Sequence, residues 1–233
     1  MENQKKRFLY LYFLMLFLEL VVATVILYRF SFNFYQGGDS PGYMLLAKNL
    51  AEHGILSFSS APPYVPTNFR TPGYLFFLAI IYFIFHSFIP AIFFGALISA
   101  FTAPLIYLIA KEIFSKKTAF AAGVLTAIEP MGLFLGVSIL TEGIFTPILL
   151  LSVYFFIRYL KTGKANYLYG SGVLLALATL IRPIMFYFWP LAISFILYRE
   201  WSFWRLAAKK ILIFIAIFFA ILGPWLIRNK IVV

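Results

Sequence analysis

Five short stretches of this chain place a charged side chain at the end of an apolar run. They are Gly37-Gly38-Asp39-Ser40-Pro41-Gly42-Tyr43, Arg70-Thr71-Pro72-Gly73-Tyr74, Leu140-Thr141-Glu142, Leu180-Ile181-Arg182-Pro183 and Pro224-Trp225-Leu226-Ile227-Arg228-Asn229. A carboxylate can serve as a general base or hold a metal. The planar guanidinium fork of arginine recognises phosphate through two parallel hydrogen bonds. Two carboxylates, Asp39 and Glu142, gathered with Arg70, Arg182 and Arg228 would therefore suit a reaction on a phosphate-linked lipid. Each residue also has a plainer reading. Asp39 could simply support a helix start and Glu142 could cap one, while Arg182 and Arg228 could snorkel to lipid headgroups.

The surroundings of Asp39 are informative at residue level. Ser40 is a favoured N-cap and Pro41 suits the first helical position. Tyr43, Leu46, Ala47 and Leu50 repeat at the spacing of one helical face, with Lys48, Asn49 and Glu52 opposite. Gly54 after His53 is a natural stop. The pattern predicts an amphipathic helix over 41–53, lying on the membrane surface with its positive dipole end towards Asp39. Gly37 and Gly38 leave room for close approach of a substrate.

The elements that must position these residues are apolar helices. The chain has 233 residues, 63% hydrophobic and only 12% charged, too few charges to cover a soluble domain. The expected class is all-α, a polytopic membrane protein. Its net charge of +11 comes from short basic clusters between apolar runs, which is a membrane-loop pattern and excludes a nucleic-acid face. There is no cysteine, so disulfides, thiolate metal sites and thiol catalysis are excluded. Apolar runs at 8–29, 91–110, 119–138, 143–160, 167–181, 184–198 and 211–227 read as about seven transmembrane helices, the first an uncleaved span. The run 74–85 is shorter. If it lies in the interface, the clusters Lys5-Lys6-Arg7, Lys111/Lys116/Lys117, Arg158/Lys161/Lys164 and Arg199/Arg205/Lys209/Lys210 all fall on the cytoplasmic side. The N-terminus is then cytoplasmic. The long first loop, about 30–90, is external and carries surface-lying helices. Asp39, Glu142, Arg70, Arg182 and Arg228 share the external face.

Those five stretches, in their order and spacing over nearly the whole chain, resemble the membrane glycosyltransferases of the GT-C fold class that use polyprenyl-phosphate sugars. The similarity is greatest to the protein O-mannosyltransferase and aminoarabinose transferase branch. The resemblance implies one transmembrane module over 1–233, a cell-membrane location and an external active site. It implies Asp39 as catalytic base, Glu142 as a second active-site carboxylate, and substrate binding by Arg70, Arg182, Tyr43, Tyr74 and Arg228. The partners implied are a polyprenyl-phosphate sugar lipid and a glycan, lipid or protein acceptor. Some relatives use a divalent metal and others do not, so metal dependence stays open. Family members usually continue beyond the Pro-Trp-x-x-Arg-Asn region, and the chain given ends at Val233. A partner subunit supplying the remainder is thus a further expectation.

Two other functions fit the same sequence. A lipid-linked sugar transporter or flippase would use the intramembrane acids Glu19 and Glu129 as midplane polar sites. A non-catalytic subunit would lend this module to a separate chain. For Glu19 and Glu129 themselves, a buried structural pairing or a protonated carboxyl bonded to Tyr or Ser is the competing reading.

Overall fold

The structure is a computed structural model and describes residues 2–232. It is built from helices: α1 (Glu2–Phe30), a 3-10 turn (Phe32–Gln36), α2 (Ser40–His53), α3 (Pro72–Phe85), α4 (Ile89–Ser99), α5 (Thr102–Ile113), α6 (Lys116–Ala127), α7 (Pro130–Gly136), α8 (Glu142–Thr162), α9 (Ala165–Ile181), a second 3-10 turn (Pro183–Phe188), α10 (Trp189–Arg199) and α11 (Trp204–Val232). Among the described residues the only extended pairing is an isolated bridge between Ser57 and Pro66.

Four helical stretches are long and apolar enough to cross a membrane: α1, the near-continuous pair α4–α5, α8 and α11. The reading of seven crossing helices is therefore not supported by length. The 119–138 run is broken into α6 and α7, bent by 59°, and adds a fifth span only if the pair counts as one. The break follows from Pro130, whose ring disfavours helical backbone at the residue before it. Glu129 is accordingly extended and accepts the amides of Met131 and Gly132 as the cap of α7. It is exposed there. Helix α9 has 17 residues, roughly 26 Å at about 1.5 Å per residue, short of the roughly 30 Å hydrocarbon core. The segment Pro183–Arg199 is equally short. Both segments read as spans in the sequence because they are apolar and separate basic clusters, and neither signal requires a full-length helix. Helix α3, at 14 residues, is also shorter than a span.

Three apolar clusters hold the helices together. One joins the second half of α1 to α2, α3 and α4 through Leu46, Leu75, Leu78 and Ile92. A second joins α8, α9, α10 and α11 through Tyr159, Leu168, Phe214 and Phe218. The third packs the first half of α1 against α5 and α6 through Leu11, Met15 and Tyr107. Large side chains such as Phe13, Phe17 and Val25 on α1 face outward, as expected for a helix whose outer face meets lipid rather than water. At the opposite end from Asp39, Glu200 and Lys210 form a buried pair at 2.6 Å, with the Tyr159 hydroxyl donating to the same carboxylate oxygen. Burial pushes the Glu200 carboxyl up, but the hydrogen bonds and charges of Lys210, Tyr159 and Arg199 outweigh it and hold the group below the ordinary carboxylate range.

Glu19 lies wholly inside the protein, with neither carboxyl oxygen hydrogen-bonded among the described residues. Gly136 of α7 packs directly on it, and Ser99 lies alongside without hydrogen-bond geometry. A methyl at Gly136 would overlap Glu19 Oε1 and stand 2.6 Å from Ser99 Oγ. Gly136→Ala should thus destabilise the fold by about 1–3 kcal/mol, the usual cost of overpacking. Gly223→Ala, where no atom lies within 4 Å, should leave stability unchanged or slightly raised. Thermal midpoints of the two purified variants in one detergent test the contrast.

Candidate active site

Helix α2 forms over nearly the residues its periodicity predicts and stops at Gly54 in the left-handed conformation. Its start differs by one position. Asp39, not Ser40, occupies the cap, and the first helical hydrogen bond runs from the Tyr43 amide to the Asp39 carbonyl at 3.2 Å. Ser40 is buried in the first turn. Gly38 takes a positive φ of 62°, turning the chain sharply into Asp39. The Asp39 side chain makes no capping bond. Instead its Oδ1 accepts from Arg70 Nη2 at 2.8 Å. The expected polar face of α2 is also revised at Asn49, which is buried and donates to the carbonyls of Ser57 (2.7 Å) and Ser59 (2.9 Å). These bonds fold the loop back over the helix.

Arg70 is fixed on several sides. Nη1 donates to the Tyr43 hydroxyl at 3.2 Å, and the guanidinium lies over the Tyr43 ring (4.8 Å) and the Phe69 ring (5.2 Å). The adjoining residues dock the loop onto the end of α9. Thr71 Oγ1 donates to the Ile181 carbonyl at 2.9 Å. Gly73 approaches so closely that a Cβ there would stand 2.8 Å from the Leu180 carbonyl oxygen. Pro183 ends α9 and leaves Arg182 extended. Arg182 Nη1 then donates to Glu142 Oε1 at 2.8 Å, while Thr141 Oγ1 donates to Glu142 Oε2 at 3.1 Å. The Arg182 guanidinium also lies 5.5 Å from the centre of the Phe145 ring.

Two carboxylate–guanidinium pairs, Asp39–Arg70 and Glu142–Arg182, thus line one open cavity of about 270 Å³. Tyr43 lines it as well. Burial raises the Tyr43 phenol above its ordinary pKa; Asp39 and Glu142 push the same way and Arg70 and Arg182 oppose them. The phenol stays protonated, so while its oxygen accepts from Arg70 its proton is free to be donated.

Of the seven residues singled out in the sequence, the structure brings these five together. Tyr74 is buried behind Tyr43, with the rings edge to face at 5.2 Å, and supports it from outside the cavity. Arg228 faces elsewhere. Its Nη1 donates to the Thr67 carbonyl at 2.6 Å and to Asn229 at 3.2 Å, and the residue lines a separate apolar groove. Thr71, Thr141 and Phe69 line the cavity and were not singled out, though each sits beside a residue that was. Glu19 and Glu129 are not among its lining residues.

The donor set fits a resident metal poorly. Each cavity carboxylate is already engaged by a guanidinium, and the described residues contain no group of three or more His, Cys, Asp or Glu side chains able to hold a metal ion. Two guanidinium groups facing the same space favour an anion instead.

The fold and site together are those of a helical, multi-pass membrane protein with two acid–arginine pairs gathered at helix ends around one cavity. The family model described as dolichyl-phosphate-mannose-protein mannosyltransferase matches residues 69–227, more than half the chain, and the protein belongs to that family. The matched region includes Arg70, Tyr74, Glu142 and Arg182, whereas Asp39, Tyr43 and Arg228 lie outside it. Comparisons with curated proteins and with solved structures returned no match.

The loop-to-α9 contact yields a direct test. Gly73→Ala sets a methyl against a backbone oxygen that cannot rotate away. It should lower the thermal midpoint and expose the 54–71 loop to protease. Gly37→Ala, 4.0 Å from its nearest neighbour, should leave the digestion pattern as in the wild type.

Proposed function

We propose that the protein transfers a sugar from a polyprenyl-phosphate donor to an acceptor hydroxyl or amine at the external face of the membrane. The observation that carries this reading is the single cavity lined by Asp39–Arg70 and Glu142–Arg182. Family membership supports the reaction class, and mannose is the sugar named in the family's description. The external placement rests on the distribution of basic clusters.

An apolar groove of about 580 Å³ shares Phe69, Thr71, Pro183 and Ile184 with the cavity and continues along Phe186, Tyr187, Leu222 and Trp225. A polyprenyl chain lying there would bring its phosphate to the two guanidinium groups. The phosphate competes with the carboxylates for those groups, since guanidinium binds either oxyanion bidentately. In the proposed step the acceptor oxygen or nitrogen attacks the anomeric carbon. The bond from that carbon to the phosphate oxygen breaks, and polyprenyl monophosphate leaves on Arg70 and Arg182. Asp39, the more exposed of the two carboxylates, takes the acceptor proton. Its Oδ2 has no partner among the described residues. Glu142 orients the acceptor, and direct attack inverts the anomeric centre. Tyr74 holds Tyr43 in place, and Arg228 anchors the loop that carries Arg70.

Asp39→Asn should lower transfer by roughly 10²–10⁴, the usual worth of general-base help, in membranes holding wild-type amounts of folded protein. A mutant that transfers sugar at the wild-type rate removes Asp39 as the base. Donor affinity of Arg182→Ala and Arg70→Ala, measured on the same preparations, should fall in both variants. Unchanged binding in both removes the phosphate clamp.

A further inference from the structure

At the other end of α1 from Asp39, a cavity of about 190 Å³ opens between α1, α5 and α6. Its lining is Asn3, Gln4 and Arg7 from α1, Tyr107 and Lys111 from α5, and Lys116 at the start of α6. No carboxylate lines it. The nearby acids are engaged elsewhere: Glu2 by Lys6 at 2.7 Å, and Glu112 by Arg158 and Lys161, each at 3.1 Å. Among the described residues, Arg7, Lys111 and Lys116 form no ion pair. Arg7 donates to the Lys116 carbonyl at 3.4 Å, and Lys111 donates to Gln4 Oε1. Three cations from three helices are thus held around one space with their charge uncompensated.

The floor of the cavity carries a hydroxyl. Tyr107 is 1% exposed, and its hydroxyl makes no hydrogen bond to another described residue. The residue belongs to the cavity lining, where a ligand oxygen could accept the phenol proton. The frame around it is closely packed. Gly123 lets α6 close onto α1 and α5, since a Cβ there would stand 2.6 Å from Leu11 Cδ1 and 3.2 Å from Tyr107 Cβ. Outside the basic rim the surface turns apolar at once, with Tyr10, Ile113 and Phe114 exposed beside the cations.

We infer that this cavity binds the phosphate of an anionic phospholipid, separately from the proposed reaction at Asp39. Three unpaired cations and a donor hydroxyl in the lining match a phosphodiester. The exposed Ile113, Phe114 and Tyr10 suit acyl chains running alongside the helices, which a free phosphate would leave unused. Basic pockets between membrane helices bind such headgroups through the same combination of charge and adjoining apolar surface.

The test titrates the purified full chain in neutral maltoside micelles, counting bound lipid by native mass spectrometry. The probes are phosphatidylglycerol, phosphatidylcholine and inorganic phosphate. Phosphatidylglycerol should bind at least roughly tenfold more tightly than phosphatidylcholine, and Arg7→Gln/Lys111→Gln should remove that preference. Tyr107→Phe, which deletes one oxygen and keeps the packing, should weaken phosphatidylglycerol by roughly threefold. Lys5→Gln/Lys6→Gln removes two cations outside the cavity and should leave its affinity within about twofold. Equal binding of the two lipids, or an unaffected Arg7/Lys111 variant with intact Tyr107→Phe binding, overturns the site. An equal loss in the Lys5/Lys6 variant reduces it to unspecific surface charge and overturns it too. Inorganic phosphate competing at the affinity of phosphatidylglycerol would overturn the lipid assignment in favour of a free anion.

Discussion

The arrangement at the Asp39 end depends on one close contact, where the loop before α3 meets the end of α9. Helix termini leave carbonyl groups without intrahelical partners. Pro183 makes this worse at α9, because it supplies no amide. Thr71 meets the need by donating to the Ile181 carbonyl, and Gly73 permits the approach because it has no Cβ to strike Leu180. Arg70 precedes Thr71 and Arg182 follows Ile181, so joining the two backbones brings both guanidinium groups to one cavity. Each then draws in a carboxylate, Asp39 from α2 and Glu142 from α8.

That geometry also explains why Asp39 leaves its cap unmade. A carboxylate at a helix start would normally accept a backbone amide, but a guanidinium at 2.8 Å offers a charge-assisted bond in its place. The paired state keeps both acids and both arginines in position without burying an unpaired charge. In the proposed reaction, the arrival of a phosphate would exchange one oxyanion for another on each arginine, releasing the acids for the acceptor. The aromatic shell of Tyr43, Phe69 and Phe145 against the guanidinium faces limits where those arginines can swing.

The remaining acids sit in other settings. Glu129 is spent as a helix cap, and Glu19 sits in the apolar interior against Gly136. At the far end, Glu200–Lys210 and Glu112 with its two partners tie the helices together. Arg7, Lys111 and Lys116 have no acid to answer them, and they line one cavity together. That shared space is what singles them out.

Composition and periodicity determined the helical membrane class, the helix near 41–53 and its stop at Gly54, because apolar spacing and glycine conformations are local properties. The charged residues worth attention were legible for the same reason: Asp39, Arg70, Glu142 and Arg182 each stand at the end of an apolar run. Tertiary structure alone decided which of them meet. Arg228 and Tyr74 carry the same kind of local signal, yet one turns to the Thr67 carbonyl and the other packs behind Tyr43. The number of spans likewise escaped the sequence. Charge alternation marks where a chain changes side, whereas crossing requires helix length, and the bend at Pro130 and the short helices around Pro183 are set by how proline interrupts backbone geometry. Pairing between residues over a hundred positions apart, such as Thr71 with Ile181, leaves no trace in local pattern, and it is that pairing which brings the two acids and two arginines to one cavity.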